Sequence, residues 1–306
     1  KKDLDQKQKE LPKEQKQLEQ QQQELEAQQA SLQTQGEELK QQQAALQQQA
    51  DELNRQKQVL EAKARTSTGD GVIREFVHGN TVHGIQALIP GKERMPTTYY
   101  TERGCGYAVL GHPHYRSGKP LRVCLLGMGV GVMLSYARSN DVYRCYDINQ
   151  DVLDVASRSG LFTFAKDCLG QVEMMVCQDA RKGLEREEKG QEPPYDVIVL
   201  DALTGDNIPY HLSTREAFEL YLKRLAPGGV LTVNISNWHL SLEPLIKALG
   251  NEFGYPVMAF ASANDFGRLA FASKTAFFCR EPAKLGQPPR DIALLDLRRV
   301  KDMPLP

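Results

Sequence analysis

Nine leucines, Leu4, Leu11, Leu18, Leu25, Leu32, Leu39, Leu46, Leu53 and Leu60, recur at every seventh residue. A seven-residue repeat keeps one stripe of a helix facing a partner helix, so the spacing predicts a coiled coil. With these leucines at d, the a positions are mostly glutamine (Gln8, Gln15, Gln22, Gln29, Gln43), completed by Gly36, Ala50 and Lys57. Amides at a pair across the seam and fix register at a cost in stability, so the expected product is a weak, concentration-dependent homo-oligomer. Pro12 breaks or kinks the helix early, leaving a continuous stretch from about residue 13 to 64, roughly 75 Å long at ~1.5 Å per residue. The alternative for the same residues is a solvated spacer helix or a disordered glutamine-rich tail, and neither is catalytic.

The repeat ends at a compositional break. Residues 1–64 hold twenty glutamines and no aromatic residue, whereas the chain after Gly71 has ordinary globular composition, with the boundary at Arg65-Thr-Ser-Thr-Gly-Asp-Gly71. Over all 306 residues, 38 basic side chains against 39 acidic ones provide no global cationic field, so no nucleic-acid partner is expected. Six cysteines at irregular spacing, several inside apolar runs, read as reduced core thiols rather than disulfides or a zinc site. No stretch reaches the ~20 consecutive apolar residues of a membrane span. The expected location is cytoplasmic, with a tether through a segment upstream of Lys1 as the alternative.

Past the break, strand-length apolar runs at 122–126, 144–148, 172–177, 196–200 and 230–235 alternate with amphipathic segments at 151–159, 214–225 and 242–253. That alternation predicts a parallel, doubly wound α/β sheet. Runs at 257–261 and 275–279 add a closing antiparallel hairpin, giving seven strands in the arrangement of the class I methyltransferase-like (Rossmann-like) fold. Short β-like pieces at 71–77 and 106–110 suggest a small lid. The expected organisation is a coiled coil at 1–65, a β-rich lid at 66–110, a nucleoside-binding catalytic domain at 111–285 and a tail at 286–306.

The first strand of that sheet ends in Leu126-Gly-Met-Gly-Val-Gly131, and Asp147 follows the second strand twenty residues after Gly127. Glycines permit a tight turn and close approach of backbone to a ligand, and a carboxylate at that distance accepts ribose hydroxyls. Gly127, Gly129, Gly131 and Asp147 are therefore candidate nucleoside-binding residues. Cys177-Gln-Asp-Ala180 sets Asp179 beside the same crevice, suited to the exocyclic amine of adenine. Leu200-Asp-Ala-Leu-Thr-Gly-Asp-Asn-Ile-Pro209 sets Asp201 and Asp206 at the carboxyl edge of the sheet, where open α/β sheets bind ligands. Carboxylates there can hold a cationic amine and take its proton.

Tyr195-Asp-Val-Ile-Val-Leu-Asp-Ala-Leu-Thr-Gly-Asp206, Leu212-Ser-Thr-Arg-Glu-Ala-Phe218, Leu225-Ala-Pro-Gly-Gly-Val230 and Asn234-Ile-Ser-Asn237 resemble the spermidine synthase (polyamine aminopropyltransferase) family. His78-Gly-Asn-Thr-Val-His-Gly-Ile-Gln86 and Pro96-Thr-Thr-Tyr-Tyr100 are similar to a divergent branch often fused to membrane segments. The resemblance covers about residues 71–280. It implies transfer of an aminopropyl group from decarboxylated S-adenosylmethionine, as co-substrate rather than resident cofactor, to a polyamine or other amine. It also implies that Asp147 holds ribose, Asp179 adenine and Asp201 the attacking amine, and that Gln86 and Tyr99 line the polyamine channel. The family's glycine loop carries an aspartate for the donor's amine, where this chain reads Gly129-Val-Gly131. That departure keeps a methyltransferase using S-adenosylmethionine as an alternative. A third reading is a catalytically silent coiled-coil scaffold with a nucleoside-binding domain.

Other groups carry less. His78, His83, His112 and His114 match no helix-borne ligand pair, so hydrogen bonding is expected of them and no metal site. Trp238-His239 follows the fifth strand, where packing is the commoner use of a lone Trp. No Ser-His-Asp or Cys-His arrangement is suggested.

Overall fold

In a computed structural model of the chain, the residues described are 63–68, 72–78, 81–175, 179–202, 209–237 and 240–303, all within the unit Glu61–Pro306. The heptad leucines, Asp206 and the Trp238-His239 pair lie outside the described residues.

Strands β1 (Lys63–Thr68), β2 (Val72–His78) and β3 (Thr81–Ala87) form an antiparallel three-stranded sheet in that order. Because β1 begins at Lys63, the last residues of the segment expected to be coiled coil pair instead with β2, Lys63 opposite Val77. Two short helices follow, α1 (Gly106–Leu110) and α2 (Pro113–Arg116). The strand-like reading of 106–110 is thus corrected to helix. A short apolar run looks the same for a buried strand and a buried helix, and Gly106, Tyr107, Ala108 and Val109 are all buried. Gly106 is required where it stands: a Cβ would meet the Tyr136 hydroxyl at 2.2 Å and the Tyr100 carbonyl at 2.5 Å.

The main sheet is built from β4 (Arg122–Leu126), β5 (Val142–Tyr146), β6 (Gln171–Met175), β7 (Tyr195–Leu200), β8 (Leu225–Asn234), β9 (Val257–Ser262), β10 (Ser273–Cys279) and β11 (Ala293–Leu294). Its order is β11-β9-β10-β8-β7-β4-β5-β6. The pairs β4–β5, β5–β6, β4–β7 and β7–β8 are parallel, and β10 inserts antiparallel between β8 and β9. This order, with the reversed penultimate strand, is the class I methyltransferase-like α/β fold. The eighth strand comes from the expected tail, where Ala293 and Leu294 pair with Ala261 and Phe260.

Four helices connect the strands: α3 (Gln150–Ser157), α4 (Ala180–Lys189), α5 (Arg215–Lys223) and α6 (Glu243–Phe253). Side chains just before three of them accept a first-turn N–H: Asn149 from Asp151, Asp179 from Lys182 and Thr214 from Ala217. Gly254, left-handed at φ 62°, ends α6.

Successive side chains of β4 enter different clusters, Val123 and Leu125 on one face of the sheet and Cys124 and Leu126 on the other. Burial on both faces explains why this strand reads as an uninterrupted apolar run, and each fully buried aliphatic side chain contributes about 1.5–3 kcal/mol. Among the described cysteines, Cys105, Cys124, Cys145, Cys168 and Cys279 are unpaired thiols, the first three and the last buried.

Candidate active site

The crevice lies where the chain changes direction. From β4 it runs outward through β5 to β6, then crosses back to β7 and β8, so the loops after β4 and β7 diverge and leave a gap at the carboxyl edge. Gly127 makes that gap narrow. It takes φ 97°, and a Cβ there would stand 2.2 Å from the carbonyl oxygen of Asp201. Only a residue without a side chain lets the ends of β4 and β7 come this close. Gly129, at φ 53°, admits the β3 backbone, because its Cβ would lie 2.5 Å from the His83 carbonyl oxygen. Gly131, at φ 86°, turns the chain into the short helical turn 132–136. The small sheet is thereby seated on the glycine loop, and the buried Val130 at its apex occupies the space that a side chain at Gly84 would need.

Asp147 follows β5 and closes the loop from the second side. Its Oδ2 accepts from the Met128 N–H at 3.1 Å and its Oδ1 from the Asn149 N–H at 3.0 Å. Burial raises its carboxyl above the usual range, and those two N–H groups oppose the shift. Asp201 closes it from the third side. Its own N–H is held by the Leu126 carbonyl at 2.9 Å, and its Oδ1 accepts from Asn234 Nδ2 at 2.9 Å. Its Oδ2 is buried with no hydrogen-bond partner among the described residues. Burial pushes this carboxyl up, opposed by the nearby Tyr100 hydroxyl and by the bond from Asn234. Burial, with the Asp201 charge behind it, pushes the Tyr99 and Tyr100 phenols well up in turn. A carboxylate so placed gains by taking a proton or by meeting a cation.

The remaining candidates divide. Asp179 reaches the same edge, where its Oδ1 caps α4 and its Oδ2 lies 2.7 Å from His211 Nε2. The Tyr99 ring meets that of Tyr100 at a tilt, 4.7 Å between centroids, and its hydroxyl donates to the Val82 carbonyl at 3.0 Å. Gln86, expected in the substrate channel, is a buried clamp in this fold. It is fully buried, with Nε2 donating to the Glu93 carbonyl at 2.9 Å and to Thr163 Oγ1 at 2.8 Å, and Oε1 accepting from the Thr163 N–H at 3.0 Å. Its amide ties β3 to the segment after α3.

Sequence reading left three participants unassigned. Asn234 had a findable signal: Leu200 pairs with Val233, so Asp201 and Asn234 come next on neighbouring parallel strands. Tyr100 follows a named candidate but carries no pattern of its own. His211 meets Asp179 from 32 residues away, a pairing that only the tertiary fold reveals.

No family model matches the chain. A curated protein of Bifidobacterium longum (strain NCC 2705), named as a probable polyamine aminopropyl transferase, is 26% identical over 212 residues, which make up 66% of this chain and 43% of that protein. The match thus spans less than half the length of that relative. Among solved structures, a probable spermidine synthase from Corynebacterium glutamicum ATCC 13032 gives a TM-score of 0.46 at 19% identity, covering 71% of this chain and 80% of that one. Human Methyltransferase-like protein 13 in complex with SAH gives 0.42 at 20% identity, covering 61% and 82%. Among the described residues no helix is long and apolar enough to cross a membrane. By its motifs and by its curated relative, the family that this chain resembles is the spermidine synthase, or polyamine aminopropyltransferase, family.

Proposed function

We propose that the α/β domain transfers an aminopropyl group from decarboxylated S-adenosylmethionine to a polyamine, releasing methylthioadenosine. The observation that carries this reading is Asp201: a buried carboxyl beside the glycine loop, raised by its surroundings, with Oδ2 left without a partner among the described residues. An amine with pKa near ~10 is mostly protonated at neutral pH. Asp201 binds that cation and takes one proton. The freed nitrogen lone pair then forms the new N–C bond to the aminopropyl carbon, the C–S⁺ bond breaks, and its electron pair returns to sulfur. In this reading Asp147 accepts the ribose hydroxyls, the glycine loop admits the nucleoside, and Asp179 exchanges His211 for the exocyclic amine of adenine. Asp206 adds a second carboxylate for the acceptor, and Tyr99 walls its channel. Holding both substrates in line provides much of the remaining acceleration. Self-association through the heptad leucines and a cytoplasmic site of action, which unpaired cysteines suit, belong to the same proposal.

One observation favours methyl transfer from S-adenosylmethionine instead. The apex of the glycine loop is the buried, apolar Val130, which has nothing to offer the donor's amine. A thermal-shift titration decides between the two, since a ligand at 100 times its dissociation constant stabilises by about 2.7 kcal/mol. Aminopropyl transfer is upheld by larger shifts with methylthioadenosine and decarboxylated S-adenosylmethionine, followed by conversion of putrescine to spermidine. Larger shifts with S-adenosylmethionine and S-adenosylhomocysteine replace it with methyl transfer. No shift with any of the four leaves the silent scaffold.

A further inference from the structure

The amino-terminal edge of the main sheet, away from the nucleoside crevice, carries a second cluster. His112 precedes α2, His114 lies within it, and Asp196 is the second residue of β7. One ligand atom from each lies within 4.8 Å of the others, and among the described residues no other trio of His, Cys, Asp or Glu forms such a group. We propose that His112, His114 and Asp196 bind a divalent transition-metal cation of the zinc class.

Each donor is already held. Asp196 Oδ2 accepts from the Arg122 backbone N–H at 2.8 Å, which leaves Oδ1 turned to His114 Nδ1 at 3.1 Å. Orientation of a ligating carboxylate by a second hydrogen bond is a regular feature of metal centres. His112 is buried, and its Nδ1 accepts from the His114 backbone N–H at 3.2 Å. In the neutral ring the lone pair therefore sits on Nδ1, and coordination through it exchanges the His114 N–H for the cation. His114 is 41% exposed, so water reaches the group and can complete the coordination shell.

Two imidazoles and one carboxylate form a donor set for zinc and its neighbours in the first transition row. Tetrahedral bonds of ~2.1 Å set ligand atoms about 3.4 Å apart. The His114–Asp196 pair is near that spacing already, and closure on His112 falls to a helix of four residues at the surface. Without metal, His114 Nδ1–H donates to Asp196. On binding, that proton leaves Nδ1 for the other nitrogen of the half-exposed ring or for solvent, so Nδ1 gains a lone pair. Asp201 follows the end of β7, five residues on from Asp196 and about 16 Å away at ~3.3 Å per residue. The cation would consequently pin α2 to the start of β7 and leave the crevice chemistry alone.

The test uses the untagged full chain, stripped with a chelator, dialysed and titrated calorimetrically with Zn²⁺, with Co²⁺ absorption as a second readout. The expected result is one Zn²⁺ per chain, a visible Co²⁺ band from a four- or five-coordinate site, and a melting temperature raised by zinc. In His114→Ala and Asp196→Asn, binding weakens at least about 10-fold and the zinc-dependent rise disappears. If Asp196→Asn fails to fold for want of its bond to Arg122, the half-exposed His114→Ala decides alone, its metal-free melt reporting an intact fold. Absence of stoichiometric binding in the wild type overturns the site. So does binding that His114→Ala leaves undiminished.

Discussion

Two buried carboxylates, on different strands and helices of one domain, meet opposite surroundings. Glu187, on α4, accepts hydrogen bonds from the Tyr146 and Tyr195 hydroxyls and from the guanidinium groups of Arg144 and Arg224. Burial acts to raise its carboxyl, but the bonds from Tyr146, Arg144 and Tyr195 and the charge of Arg144 outweigh it and hold the group below the ordinary range. Asp201 is buried too, yet its partners leave Oδ2 unsatisfied among the described residues, and its carboxyl is raised. The two carboxyls titrate in opposite directions because burial weighs more on Asp201 and because Glu187 meets more donors, two of them charged. A carboxylate whose oxygens are all engaged holds a structure together; one kept short of partners is ready for a ligand.

The sharpest way to break that contrast is Asp201→Asn. Turnover of putrescine should fall by about 10²–10⁴-fold if Asp201 is the base, while methylthioadenosine binding by thermal shift survives. Retained turnover in this variant ends its assignment. Glu187→Gln should act only on stability, costing about 3 kcal/mol in a denaturant titration because Arg144 and Arg224 are left without their shared counter-charge. An unchanged midpoint would show the network to be dispensable.

The two sites should also differ in the sign of their pH response. Asp201, raised in the folded state, contributes stability that is present below its unfolded pKa and is lost as pH rises through the folded value. Asp201→Asn removes that loss, so it should melt above the wild type at about pH 7 and no higher near pH 4. Glu187, lowered when folded, contributes stability above its unfolded pKa that is lost as pH falls through the folded value. The Glu187→Gln deficit should consequently shrink on acidification. Equal shifts at both pH values would refute either half. The smallest effect belongs to His211→Ala, which frees Asp179 from a partly exposed side-chain contact worth at most about 1 kcal/mol. Nucleoside affinity should rise by no more than about fivefold, and a loss would mean that His211 itself contacts the ligand.

Much of this was legible in the chain. The apolar runs of β4, β7 and β8 and the twenty-residue step from Gly127 to Asp147 follow from short-range rules of periodicity and turn chemistry, so the parallel sheet and its glycine loop could be read directly. Asp147 and Asp201 could be set at one edge because strand ends converge there in such a sheet. The setting of Gln86 was not legible for a physical reason: its sequence neighbours do not reveal that Thr163, 77 residues away, takes both ends of its amide. The helix at 106–110 was misread because five apolar residues carry no period that separates helix from strand.

By itself, then, the sequence determined what depends on neighbours along the chain: the alternation of strands and helices, the capping residues Asn149, Asp179 and Thr214, and the positions that only glycine fills. Tertiary structure decided what depends on partners distant in sequence. It set Val130 under Gly84, left Asp201 a partner short among the described residues while Glu187 received four donor residues, and brought His112 and His114 to Asp196. The reason is that burial and hydrogen-bond supply are properties of a place in the fold, and a carboxylate's chemistry follows its place.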